Sequence, residues 1–129
     1  MQLFWIGFGG ALGSVLRFWL LGRFQEAYGP GFPIGTLGVN LIGSLVIGFL
    51  GGWFLAAPSS VNLRLFLMVG ILGGFTTFSS FSLENLNLIR EGNWKAAFVY
   101  VLASNALGVG LAFAGFLLAR AFSRSVSGP

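Results

Sequence analysis

Gly73-Gly74-Phe75-Thr76-Thr77-Phe78-Ser79-Ser80-Phe81 interrupts an apolar run that is otherwise uniform enough for a membrane helix. Hydrocarbon offers no water to a freed N–H or C=O. Irregular backbone at bilayer depth therefore survives only where it is buried in protein or lines a polar path. The stretch reads as a membrane helix broken in its middle, and a chain this small is expected to use the break.

Composition makes lipid the solvent. Of 129 residues, 56% are hydrophobic and 8% charged, far from globular averages. Uncharged stretches run from Ala27 to Leu63, Leu65 to Leu83 and Ala96 to Ala119, and a fourth from Leu3 is broken only by Arg17. Each supplies about 20 apolar residues, enough to cross roughly 30 Å of hydrocarbon.

The expected fold is all-α: a single transmembrane domain over 1–122, with four helices at about 3–24, 33–56, 63–90 (broken near 74–77) and 94–122. Gly29-Pro30-Gly31-Phe32-Pro33 and Ala57-Pro58-Ser59-Ser60 are breaker clusters, and Arg90-Glu91-Gly92-Asn93 is a short polar link. The first segment has no basic flank ahead of its apolar region and reads as a retained helix, not a cleaved signal peptide. The tail 123–129 is expected to be disordered.

The chemistry this chain lacks narrows its function. With no cysteine there is no disulfide framework or thiolate chemistry. With no histidine, and only Glu26, Glu84 and Glu91 as acids, the usual general acid/base pairs and catalytic zinc sites are missing. No catalytic residue is expected, and an enzyme is disfavoured. A nucleic-acid partner is disfavoured too, because the basic residues sit singly at helix ends, as membrane-interface anchors do, without a patch or stripe.

Four crossings put the N-terminus, the 57–62 link and the C-terminus on one side, with Arg64, Arg120 and Arg124. The 25–32 and 90–94 links lie on the other side, with Arg17, Arg23, Arg90 and Lys95. Three basic residues against four give no positive-inside bias. The expectation is dual topology, with opposite copies paired as an antiparallel dimer; a single orientation set by finer details is the alternative.

If Gly73 and Gly74 loosen the helix and Thr76-Thr77 follow in non-helical geometry, several backbone groups lose their partners at a cost of several kcal/mol each. A two-fold axis through the break would pool carbonyls from two copies. Carbonyls at the end of a half-helix suit a hard cation, while the next half-helix turns its N–H groups and positive dipole end inward, toward an anion. A kink absorbed by packing is the plainer reading.

Small or polar faces recur at i, i+4: Asn40, Ser44, Gly48 and Gly52; Tyr100, Ser104, Gly108 and Ala112; Gly9 and Gly13. Close helix packing explains most of them. Asn40 needs a partner and has an amide suited to an anion, with an interhelical hydrogen bond as the alternative. Beyond the break, Phe78, Phe81, Ser82 and Asn85 share one face. Ring edges, hydroxyls and amides together can replace an anion's hydration without a full positive charge.

Gly9-Gly10-Ala11-Leu12-Gly13-Ser14-Val15-Leu16-Arg17, Gly35-Thr36-Leu37-Gly38-Val39-Asn40-Leu41-Ile42-Gly43 and Gly70-Ile71-Leu72-Gly73-Gly74-Phe75-Thr76-Thr77-Phe78-Ser79-Ser80-Phe81-Ser82 resemble, in order, three signatures of the Fluc/CrcB fluoride channels. The third is the specific one; the first two alone are weak glycine patterns.

The resemblance implies a dual-topology homodimer in a prokaryotic inner membrane, exporting cytoplasmic fluoride passively through two antiparallel pores. It implies a structural central sodium ion held by the Gly73 and Thr76 carbonyls with those of the second copy. It makes Phe78 and Phe81 the facing rings beside the fluoride path and Asn40 an amide donor to the ion. Tyr100 and Ser104 continue a polar track, with hydroxyls from Thr77, Ser80 or Ser82. Arg17 and Glu84 match positions nearer the vestibules. Gly108 departs from the pattern, since relatives often place another hydroxyl there.

Two other functions stay open at this point. A small dual-topology multidrug or cation exporter would need a titratable group on its path, and the first helix, at about 3–24, has no acid at all; Glu84 is the one residue that could serve. A structural membrane protein would use the polar faces for assembly alone.

Overall fold

The computed structural model describes residues 1–57 and 59–127, with the side chains of all but 126 and 127. Helix α1 is Gln2–Tyr28 and α2 is Ile34–Ala56. Helix α3 is composite: a first turn Val61–Arg64, a π-helical stretch Leu65–Leu72 and a closing turn Gly73–Phe75. Helix α4 is Phe78–Arg90 and α5 is Trp94–Ser127. Four spans are long and apolar enough to cross a membrane: Gln2–Tyr28, Ile34–Ala56, Val61–Arg90 and Trp94–Ser125. No strand occurs among the described residues.

The links follow local chemistry. Gly29 takes φ 74°, a left-handed value suited to glycine, and its N–H closes α1 on the Gln25 carbonyl. Pro33 then caps α2. Ser60 Oγ accepts from the Leu63 N–H at 3.2 Å and caps the start of α3. Gly92, at φ 78°, turns the chain into α5, whose first turn gives the Ala96 N–H to Asn93 Oδ1.

Two expected boundaries need correction. Helix α1 runs past 24 to Tyr28, because nothing breaks it before Gly29. The tail expected to be disordered from 123 continues α5 to Ser127. Its serines cause no break, since Ser123 and Ser125 return their hydroxyls to the carbonyls of Ala119 and Ala121. Residues 128 and 129 lie outside the described part, as does Pro58 within its breaker cluster.

Glycine controls the packing. Helices α1 and α3 run side by side in the same direction, with Gly9 against the Phe66 carbonyl and Gly13 against that of Ile71. Helices α2 and α5 do the same, with Gly48 on the Ala112 backbone and Gly52 on that of Phe116. A side chain at any of these positions would collide with backbone. Without a hydrophobic driving force between helices in lipid, this close approach supplies the dispersion contact that holds them. The π-helical stretch, which no sequence pattern announced, lies along the α1 contact.

The interior is correspondingly thin. Val39, Leu72 and Phe75 form one buried cluster and Leu88, Ala97 and Tyr100 another. Large apolar side chains such as Leu3, Phe18 and Leu55 point outward, toward where lipid or another protein chain would lie. Gly48→Leu drives a branched side chain into the Ala112 backbone and should destabilise the protein by ~2 kcal/mol or more. Gly7→Ala, with nothing within 4 Å of the added carbon, should be neutral. Thermal inactivation of detergent-purified protein separates the two; equal stability would refute the packing account.

Candidate functional site

The helical backbone stops at Thr76 (φ −80°, ψ 157°) and Thr77 (φ −149°, ψ 115°), both extended, and resumes at Phe78. The Thr76 N–H still reaches the Leu72 carbonyl at 2.9 Å, and the Thr76 hydroxyl donates to the same oxygen. Thr77 is the first residue to leave. Its N–H donates to Asn40 Oδ1 at 2.8 Å, and Asn40 Nδ2 donates to the Thr77 carbonyl at 3.0 Å. One amide thus satisfies both backbone groups of the residue most exposed to loss, as a neighbouring strand would.

Other groups at the break are met as well. Thr77 Oγ1 caps α4 by accepting from the Ser80 N–H at 3.2 Å, and donates to Ser80 Oγ at 3.0 Å. Arg17 Nη1 donates to the Thr76 carbonyl at 3.2 Å, and Ser14 Oγ reaches the Gly74 carbonyl at 3.5 Å. In a continuous helix the Thr77 N–H would go to the Gly73 carbonyl. Because Asn40 takes it, that carbonyl is left without its usual donor.

A cavity of about 330 Å³ opens beside the break, lined by Asn40, Ser44, Gly73, Thr76, Thr77 and Phe78 among others. Gly73 is exposed, with nothing within 4 Å of where a side chain would start, and Phe78 is 78% exposed. The Phe78 and Phe81 rings lie 5.5 Å apart, and Phe81 packs on Tyr100 at 5.0 Å.

A second group lies one to two turns along α4. Glu84 Oε1 accepts from Thr36 Oγ1 at 2.7 Å, and Glu84 Oε2 accepts from the Tyr100 hydroxyl at 2.6 Å. Tyr100 is fully buried and Thr36 nearly so. Glu84 also borders two open cavities, one of about 700 Å³ with Ser80, Arg23 and Glu26, the other of about 240 Å³ with Asn87 and Glu91.

The structure gathers Asn40, Gly73, Thr76, Thr77 and Phe78 at one cavity, with Ser80 bonded to Thr77 behind it. It engages other expected residues differently. Asn40 is committed to Thr77, leaving one amide hydrogen. Tyr100 donates to Glu84, so its hydroxyl is not free on a track. Arg17 reaches the break instead of standing in an open vestibule. Ser82 is exposed and gives its hydroxyl to the Phe78 carbonyl, and Asn85, expected on the same face, is buried. Ser104 Oγ is buried without a partner.

The sequence reading missed three participants. Thr36 and Ser14 sit within quoted motifs, but helix phase alone cannot say which neighbour a small hydroxyl meets. Ser44, one turn after Asn40, was visible only as part of a packing face. No cluster of three or more His, Cys, Asp or Glu residues that could hold a metal occurs among the described residues.

Comparison with known proteins gives the chain its relatives. Residues 4–116 match the family model described as CrcB-like protein, Camphor Resistance (CrcB). A Parabacteroides distasonis protein named Fluoride-specific ion channel FluC is 45% identical over 120 residues, 93% of this chain and 94% of the relative. Proteins of the same name from Aquifex aeolicus and Opitutus terrae are 44% identical over 118 residues (90% of this chain, 94% of the relative) and 52% identical over 108 residues (80% of each). With four membrane-length helices and a family match over most of its length, this multi-pass integral membrane protein belongs to the CrcB-like family.

Proposed function

We propose that the chain is the subunit of a fluoride-selective ion channel that lets cytoplasmic fluoride leave passively across a prokaryotic inner membrane. The observation that carries this reading is the break at Thr76-Thr77. It is clamped by an amide with a hydrogen to spare, beside an open cavity, in a chain whose relatives at 44–52% identity are named fluoride channels. Such a channel makes and breaks no covalent bonds, so the chain is not an enzyme.

Fluoride must shed most of its hydration in a narrow pore and regain it from fixed groups. The second Asn40 amide hydrogen is one donor, and the edges of Phe78 and Phe81 carry partial positive charge. Ser104 supplies a buried hydroxyl that has no other acceptor. Tyr100 can join only by releasing Glu84, which would keep Thr36. Hydroxyls of Thr77, Ser80 or Ser82 border the start of the route. Weak binding at several places permits exit as well as entry. The larger chloride would fit this lining poorly.

The functional unit in this reading is an antiparallel homodimer embedded in lipid. Exposed Gly73 and Phe78 beside an open cavity are what a second copy would cover, and the balanced charges allow both orientations. A structural sodium ion on the axis would be held by the Gly73 and Thr76 carbonyls of both copies. The donors fit in part. The Gly73 carbonyl lacks its helical donor, and Thr76 keeps a lone pair beyond the one Arg17 uses. The guanidinium opposes a cation there, and pooled carbonyls must outweigh it.

Purified protein in liposomes, with the membrane potential clamped, should release fluoride rapidly and retain chloride. Fluoride retention would refute the channel, and proton-dependent drug movement would favour an exporter. Adding lysines to one side should lock orientation, so that each locked form fails alone and opposite forms together recover flux. Full activity of one locked form would refute the antiparallel dimer.

A further inference from the structure

Ser44 lies one turn after Asn40 on α2 and lines the same cavity. A serine within a membrane helix ordinarily returns its hydroxyl to the carbonyl four residues back, as Ser82 and Ser123 do here. Ser44 does not: among the described residues its Oγ makes no hydrogen bond, although the Asn40 carbonyl is within its own helix. A hydroxyl that is only partly buried, lines an open cavity and has no acceptor within the chain is free to donate to an occupant of that cavity.

The other side of Ser44 supplies the second observation. Gly108 of α5 is buried, and the one atom within 4 Å of a side-chain carbon built there is Ser44 Oγ, at 3.5 Å. One turn earlier on α5, Ser104 Oγ is buried and unpartnered. Two hydroxyls without partners, one on α2 and one on α5, therefore lie on either side of Gly108: Ser44 against it and Ser104 one turn before it.

We propose that Ser44 is a fluoride-binding residue of the path, supplying a hydroxyl from α2 beside the small Gly108 of α5 and receiving the ion between Asn40 and Ser104. This rests on the channel reading and adds to it a further donor, on α2 one turn beyond Asn40. Glycine at 108 is what leaves Ser44 uncovered.

The test is fluoride efflux from liposomes at clamped potential, using the full-length protein and checking assembly by size exclusion. Ser44→Ala should slow efflux about tenfold, equivalent to losing one donor, ~1.4 kcal/mol. Ser44→Thr should keep most of the flux. Ser44→Cys, close in volume but only a weak donor, should fall with the alanine variant and serves if that one assembles poorly. The decisive variant is the double change Ser44→Ala with Gly108→Ser, which returns a hydroxyl beside the vacated position and should recover flux. Wild-type flux in Ser44→Cys, or no recovery in an assembled double variant, would overturn the proposal. A wild-type protein that releases no fluoride would instead defeat the channel reading itself, so the two failures are distinguishable.

Discussion

Everything at the centre of this protein depends on one constraint: a backbone that leaves its helix inside a membrane must find hydrogen bonds elsewhere. Thr77 leaves, and Asn40 takes both its N–H and its carbonyl. That pair of bonds fixes the angle between α3 and α4, and it obliges α2 to lie against the break. The Thr76 carbonyl and the Thr77 hydroxyl are then met by Arg17 and by the first turn of α4. The clamp is therefore structural first. What it leaves over, one amide hydrogen, the Gly73 carbonyl and exposed aromatic edges, is what the proposed channel would use for ion recognition.

The glycine contacts serve the same constraint. Gly13 and Gly48 let α1 meet α3 and α2 meet α5 at backbone distance, so side chains as short as serine and asparagine reach across. Gly43 likewise seats α2 on Thr76, and a wider spacing would put Asn40 out of range of Thr77 and Ser14 out of range of Gly74. The tight packing that holds the helices together in lipid also holds the polar groups in position.

Much of the fold was legible in the sequence because membrane helices are written in long apolar runs and their ends in Gly and Pro. The two-glycine, two-threonine interruption predicted where the helix breaks, since no uniform span contains such a run. The end at Tyr28 was misread because the charges from Arg23 onward look like an exit from the membrane while the helix simply continues into the interface. The π-helical turn over Leu65–Leu72 was invisible, for it depends on what α1 presses against it. At the site, residue types were readable and partners were not. Asn40, Tyr100 and Arg17 stood out as polar groups in apolar surroundings. Only the phase of α4, reset by the extended pair, decides that Glu84 meets Tyr100 and Thr36.

The central claim is that the groups left over at the clamped break are where fluoride rests. Solid-state NMR on the full-length protein in lipid bilayers can read this directly, through dipolar contacts between bound fluoride (¹⁹F) and protons of the protein. The account predicts saturable contacts to the Asn40 side-chain amide and to ring-edge protons of Phe78 and Phe81. Fluoride that contacts only water and lipid headgroups, in a preparation that conducts it, would contradict the account.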